Sequence, residues 1–211
     1  MGIVQKIHLP IGLAQKSYVK TLRSNLKPLV VATGPAGSGK TLFACQTAVE
    51  NLADKKCKKI ILTRPIVSVD EELGFLPGNI DEKMDPWTRP MFDILSNYYS
   101  RSQITQMVKS NTVEISPLAY MRGRTFDESF VIGDEMQNAT QSQMKMMLTR
   151  LGKNSKMVIT GDADQCDIPK SGLVDLIHRM SDQEMEYLDH IVLSEEDIQR
   201  HPAIREILSI Y

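Results

Sequence analysis

The chain has 211 residues, 42% hydrophobic and 24% charged, which suits one globular α/β domain with a substantial core. A formal net charge of −1 excludes an overall basic field, so any nucleic-acid binding must rest on a local patch. Cys45, Cys57 and Cys166 show neither metal-ligand spacing nor a C-x-x-C pair, and so odd and sparse a count argues for a reducing cytoplasm over a disulfide scaffold. No stretch reads as a signal peptide or a bilayer span.

Residues 1–27 precede the first strand. Gln15 to Val19, with Leu22 and Leu26 one turn apart, predict a short helix capping the sheet. Leu29 to Ala32 is an apolar run suited to a buried parallel strand. It leads into Gly34-Pro35-Ala36-Gly37-Ser38-Gly39-Lys40-Thr41, the G-x-x-x-x-G-K-[ST] pattern of a phosphate-binding P-loop. Gly37 and Gly39 let the backbone amides turn inward as an anion nest. A helix starting near Lys40 adds its positive dipole end. In this pattern Lys40 reaches the β- and γ-phosphates and the Thr41 hydroxyl holds Mg²⁺. The basic run Lys55 to Lys59 then reads either as solvated charge at a helix end or as a nucleic-acid patch.

Ile60 to Thr63 form a second apolar strand. Arg64 therefore lies at its carboxyl end, the edge where open α/β sheets bind ligands. From Ile66 to Pro90, glycine, proline and acidic residues predict a long ordered loop or insertion. Met91, Ile94, Leu95 and Tyr98, then Ile104, Met107 and Val108, recur at helical spacing as core faces. Thr112 to Ser116 alternate as a strand that Pro117 stops. Arg122 and Arg124 flank Gly123 in a turn that is either plain surface or a phosphate grip.

Ser129 to Gly133 form the next strand, tipped by Asp134-Glu135 in the manner of a Walker B segment. There Asp134 would order Mg²⁺ and its waters, and Glu135 would polarise the attacking water. Thr140-x-x-Gln143 is a capping box, followed by a stripe of Met144, Met147, Leu148 and Leu151 that Gly152 ends. Met157 to Thr160 are a buried strand running into Gly161-Asp162-Ala163-Asp164-Gln165. Leu173, Leu176, Ile177 and Met180 mark a helix, and Tyr187 to Leu193 a last strand. Pro202 opens a terminal helix whose start Arg200 and Arg205 bracket. With no repeat or linker, residues 1–211 read as a single domain.

Three strand tips thus carry Gly-Lys-Thr, Asp-Glu and Gly-Asp-x-x-Gln. The set resembles the ATP-binding core of superfamily-one helicases, and more closely the PhoH family of P-loop ATPases. The matching segments are residues 34–41, Thr63-Arg64-Pro65, Leu73 to Gly78, Lys83 to Pro86 with Arg89-Pro90, and Pro117 to Thr125. The series continues with Asp134 to Asn138, Thr160 to Asp162 with Gln165, Asp167-Ile168-Pro169 and Arg200-His201-Pro202. The resemblance implies a three-layer α-β-α P-loop NTPase with a RecA-like, mostly parallel sheet, binding ATP and Mg²⁺. In it, residues 1–27 form an adenine-side segment and residues 66–111 a family-specific insertion. By the same resemblance Gln15 is the adenine-reading glutamine, Gln165 the γ-phosphate sensor and Arg200 a candidate arginine finger.

One departure stands out. The family's usual Leu-Asp-Glu-Ala-Gln-Asn is Gly133-Asp134-Glu135-Met136-Gln137-Asn138 here. A glycine before the metal-binding acid is expected to loosen the strand and remove core packing.

The function expected is ATP hydrolysis coupled to RNA or single-stranded DNA, with Arg64, Arg122 and Arg124 as candidate contacts. Because 211 residues leave no room for a second RecA-like domain across the nucleotide, a head-to-tail homo-oligomer is expected. The resemblance makes it a hexameric ring in which a neighbour's arginine completes each site. Two other readings stay open. A small-molecule P-loop kinase would need an acceptor pocket and lid but neither Glu135 nor a third phosphate-sensing motif. A nucleotide-gated scaffold with little hydrolysis would tolerate Gly133.

Overall fold

Short apolar strands that all run parallel need cover on both faces, and this chain supplies it with helices. The computed structural model describes residues 7–65, 89–181 and 183–198. In chain order these form α1 (Leu13–Arg23), β1 (Leu29–Thr33), α2 (Lys40–Ala53), β2 (Lys59–Thr63), α3 (Arg101–Lys109), β3 (Val113–Ile115), β4 (Ser129–Gly133), α4 (Gln141–Leu148), β5 (Lys156–Gly161), α5 (Gly172–Met180) and β6 (Leu188–Val192). Residues 89–95 are helical as well. The sheet order is β3-β2-β4-β5-β1-β6, with every pair parallel. This is the α/β, RecA-like arrangement expected.

Strand parity divides the core in two. Val30, Ala32, Ile60, Leu62, Ile132 and Val158 pack on one face with Tyr18 and Leu22 of α1 and with Phe43, Ala44 and Cys45 of α2. Val31, Ile61, Val131, Met157 and Ile159 pack on the other with Met144, Met147 and Leu173. The predicted capping box is present: Thr140 N donates to Gln143 Oε1 at 2.9 Å, and Gln143 N to Thr140 Oγ1 at 3.3 Å. Among the described residues no helix is long and apolar enough to cross a membrane.

Two expectations are corrected. Leu26 lies beyond α1 and is 79% exposed, because the chain turns extended at Ser24 (φ −77°, ψ 135°) on its way to Pro28. Gly133 leaves no slack in β4. A Cβ placed there would lie 2.7 Å from Met147 Cε and 3.1 Å from Met136 Cγ and Sδ, so the two thioethers already fill the space. Unbranched methionine adapts readily to such a gap. The loops expected within residues 66–88 and the helix expected after Pro202 lie outside the described residues.

A cation helps tie the far end of α1 to the sheet. Lys156 Nζ donates to the carbonyls of Thr21 (3.0 Å), Leu22 (2.6 Å) and Ser24 (2.6 Å), at the negative end of the helix dipole. Burial lowers its pKa to about 8.

A lysine with a lowered folded-state pKa costs stability while it is charged, and that cost is relieved as pH rises from about 8 towards the unfolded value. Unfolding free energy measured in urea should therefore climb over this window by roughly 1–3 kcal/mol relative to Lys156→Met. Parallel pH profiles for the two proteins would show that the lysine is not desolvated. The Gly133 packing gives a second expectation. Gly133→Leu should destabilise by roughly 1–3 kcal/mol through overpacking, and Met136→Ala in the same chain should recover most of it. Strictly additive costs in that double-mutant cycle would mean the two side chains do not share the volume.

Candidate nucleotide site

Parallel pairing sets the carboxyl ends of β1, β5 and β4 side by side, and the site grows from those three tips. After Thr33 the chain turns at Gly34 (φ 140°), where a Cβ would lie 2.2 Å from the Leu193 carbonyl oxygen, so only glycine fits. Gly37 and Gly39 also have positive φ, 87° and 97°, as the inward-turned loop requires. Gly39 is the residue that caps α2, so the loop amides and the helix N-terminus converge.

Thr41, in the first turn of α2, donates its hydroxyl to Asp134 Oδ1 at 2.6 Å. Thr160 of β5, the strand between β1 and β4, donates to the same oxygen at 2.6 Å. Asp134 is 4% exposed, and its own amide donates to the Thr63 carbonyl at 2.9 Å. Residues 93 positions apart in sequence thus meet as the Walker pattern predicts. Hydroxyl and carboxylate are the hard oxygen donors Mg²⁺ takes, so Thr41 and Asp134 are the residues that would hold it. The site fits that ion.

Lys40 Nζ donates to the carbonyls of Gly34 (2.5 Å) and Pro35 (2.8 Å), holding its ammonium against the loop. The Lys40 carbonyl in turn accepts from the hydroxyl of Tyr18 at 3.0 Å. Tyr18 is fully buried, and burial, reinforced by Cys45 and Asp134, raises its pKa well above the usual phenol value.

Glu135 stands in left-handed backbone (φ 52°, ψ 38°), which turns it away from the path of Asp134. Its carboxylate accepts from Gln137 Nε2 at 2.7 Å and pairs with Arg64 at 3.4 Å. The same Gln137 amide reaches the β5 tip, where Oε1 accepts from Asp162 N at 3.1 Å. Gly161 permits this approach, since a Cβ there would lie 2.7 Å from Gln137 Oε1. Asn138 clasps the following turn, donating to Asp167 Oδ2 at 2.8 Å and accepting from Asp167 N at 2.9 Å. Gln165 is exposed in the turn these two amides hold.

Thr160, Gln137, Asn138 and Tyr18 carry the site without having been assigned a task from sequence. Strand parity was the available signal for Thr160, which shares the face of Val158 and lies towards α2.

Gln15 is 1% exposed, and its side-chain amide donates to the carbonyls of Ser38 (3.0 Å) and Asp197 (2.9 Å). Its oxygen accepts from the amides of Ile11 (2.9 Å) and Gly12 (3.4 Å). An amide so enclosed lies against the loop. Arg124, partly exposed, pairs with Glu114 and lies 4.8 Å from the Phe126 ring centroid. Arg64 is half-buried beside Glu135, while Arg122 is exposed. Arg200 lies outside the described residues.

The family model described as PhoH-like protein matches residues 9–211. A PhoH-like protein of Bacillus subtilis is 45% identical over 202 residues, covering 94% of this chain and 62% of that protein. The chain spans about three-fifths of the length of the curated relatives it matches. Among solved structures, the large terminase from a thermophilic bacteriophage superposes with a TM-score of 0.59 at 13% identity, over 95% of this chain and 50% of that one. The same terminase in complex with ADP gives a TM-score of 0.56 at 13% identity, with the same coverage. At that identity the likeness is one of fold.

Proposed function

The chain belongs to the PhoH-like protein family, and from that premise we propose that it binds ATP with Mg²⁺ and hydrolyses it. The observation that carries this reading is the 2.6 Å contact between the P-loop hydroxyl of Thr41 and the β4 acid Asp134, with Glu135 next in the chain. Mg²⁺ held by Thr41 and Asp134 would supply charge neutralisation to the phosphates. The loop amides and the α2 N-terminus would bind the β- and γ-phosphates, and Lys40 would exchange the Gly34 and Pro35 carbonyls for phosphate oxygens. Glu135 would orient the attacking water and accept its proton as the bond to the ADP leaving group breaks. To do so it must exchange its Gln137 and Arg64 contacts for that water.

We extend the proposal to coupling with RNA or single-stranded DNA and to a head-to-tail hexameric ring. Arg64, at a strand tip beside Glu135, supports the coupling, because a polyanion drawing on that cation would act directly on the base. In the ring, Arg200 of a neighbouring copy would serve as the arginine finger. A nucleotide-gated scaffold with little turnover is the second reading, favoured by the engagement of both Glu135 carboxylate oxygens.

Phosphate release from ATP without an added acceptor, measured with and without single-stranded RNA on material sized for oligomeric state, tests these readings together. Hydrolysis should occur without acceptor, rise with RNA, and fall roughly 10²-fold or more in Glu135→Gln while ATP binding persists. Equal, near-zero rates in both proteins would favour the scaffold. Arg200→Ala should keep ATP binding and lose roughly 10³-fold in turnover. Unchanged hydrolysis would remove Arg200 from the site.

A further inference from the structure

We infer that Gln15 is a positioning residue for the phosphate loop, acting with Tyr18 to hold the loop backbone from beneath, and that it sets affinity for the polyphosphate rather than selectivity for the base. The inference rests on the reading of residues 34–41 as a nucleotide site.

Gln15 and Tyr18 are three positions apart on α1 and so project from one face of the helix. Both are buried, at 1% and 0% exposure. Each donates to a carbonyl of the loop-to-helix junction, Gln15 to Ser38 at 3.0 Å and Tyr18 to Lys40 at 3.0 Å. Successive peptide units that turn their amides towards an anion turn their carbonyls elsewhere, and those carbonyls need donors. Here α1 provides the donors. Gly39, between the two bonded residues, has its Cβ position 3.6 Å from Gln15 Nε2, so the amide lies directly against the loop.

The second hydrogen of the same amide ties this arrangement to the turn after β6, donating to the Asp197 carbonyl at 2.9 Å. That turn presses on α1 as well. A Cβ at Gly12 would lie 2.0 Å from Asp197 Oδ1, and Asp197 is itself 5% exposed, with its carboxylate accepting from Ser194 N at 3.0 Å. One side chain therefore joins the phosphate loop, the start of α1 and the chain leaving β6. A base lies beyond the sugar at the far end of the nucleotide, whereas the Ser38 carbonyl belongs to the loop that meets the phosphates.

The two roles give different binding patterns. Isothermal titration of the full chain with Mg²⁺ and ATP, GTP or inorganic tripolyphosphate separates them, at temperatures where each variant is fully folded. Gln15→Ala, and Gln15→Met in case the smaller side chain impairs folding, should weaken all three ligands by a common factor of about three to ten. The ratio of ATP to GTP affinity should stay at its original value. Tyr18→Phe, which removes only the phenol oxygen, should act in the same direction. A merely structural role would lower the melting temperature yet leave the affinities of the folded protein untouched, and that result would overturn the inference. So would a collapse of the ATP-to-GTP ratio with tripolyphosphate binding unchanged. Failure of the unsubstituted chain to bind any of the three would instead sink the nucleotide-site reading on which the inference stands.

Discussion

Two hydroxyls on one buried carboxylate oxygen hold this site together. Thr41 arrives from α2, Thr160 from β5, and Asp134 from the end of β4, so three elements depend on a single Oδ1 atom. A buried carboxylate without donors would be costly, and one that accepts two charge-assisted hydrogen bonds is well satisfied. The sheet order makes the meeting possible, because β5 lies between β1 and β4 and brings Thr160 within reach of both the loop and the acid. Hydroxyl and carboxylate oxygens gathered in this way are donors of the kind a hard divalent cation takes.

Beside that centre, polar side chains connect the strand tips into one unit. Gln137 spans Glu135 and the Asp162 amide, and Asn138 exchanges two hydrogen bonds with Asp167. These are side-chain bonds across tips whose ladders have ended, where the backbone alone no longer fixes geometry. The close fit at Gly161 and the methionine filling at Gly133 show how little free space this edge contains. At Gly133 the side-chain volume is supplied by Met136 and Met147.

Much of this was legible in the sequence. The parallel sheet followed from short apolar runs, the loop from its glycine spacing, and the pairing of Thr41 with Asp134 from the two Walker patterns. What escaped was three-dimensional. Leu26 sits at helical spacing from Leu22, but the turn at Ser24 ends the helix first. Arg124 reads either as plain surface or as a phosphate grip, and its contacts with Glu114 of β3 and Phe126 appear only in the fold. Gln15 reads as a base contact by resemblance, and only the position of α1 against residues 38–40 and the turn at Asp197 shows what its amide touches. Hydrogen bonds between residues more than twenty positions apart leave no periodicity to read.

The anchoring of α1 has a further consequence for how the molecule breathes. Its first turn is bonded to the phosphate loop through Gln15, and its last carbonyls are bonded to β5 through Lys156. A helix secured at one end opens from the other, as fraying normally begins at a free end. Here neither end is free. Local opening of α1 must release the underside of the loop and a lysine from the central sheet in the same event, which makes the helix and the loop one cooperative unit in hydrogen exchange.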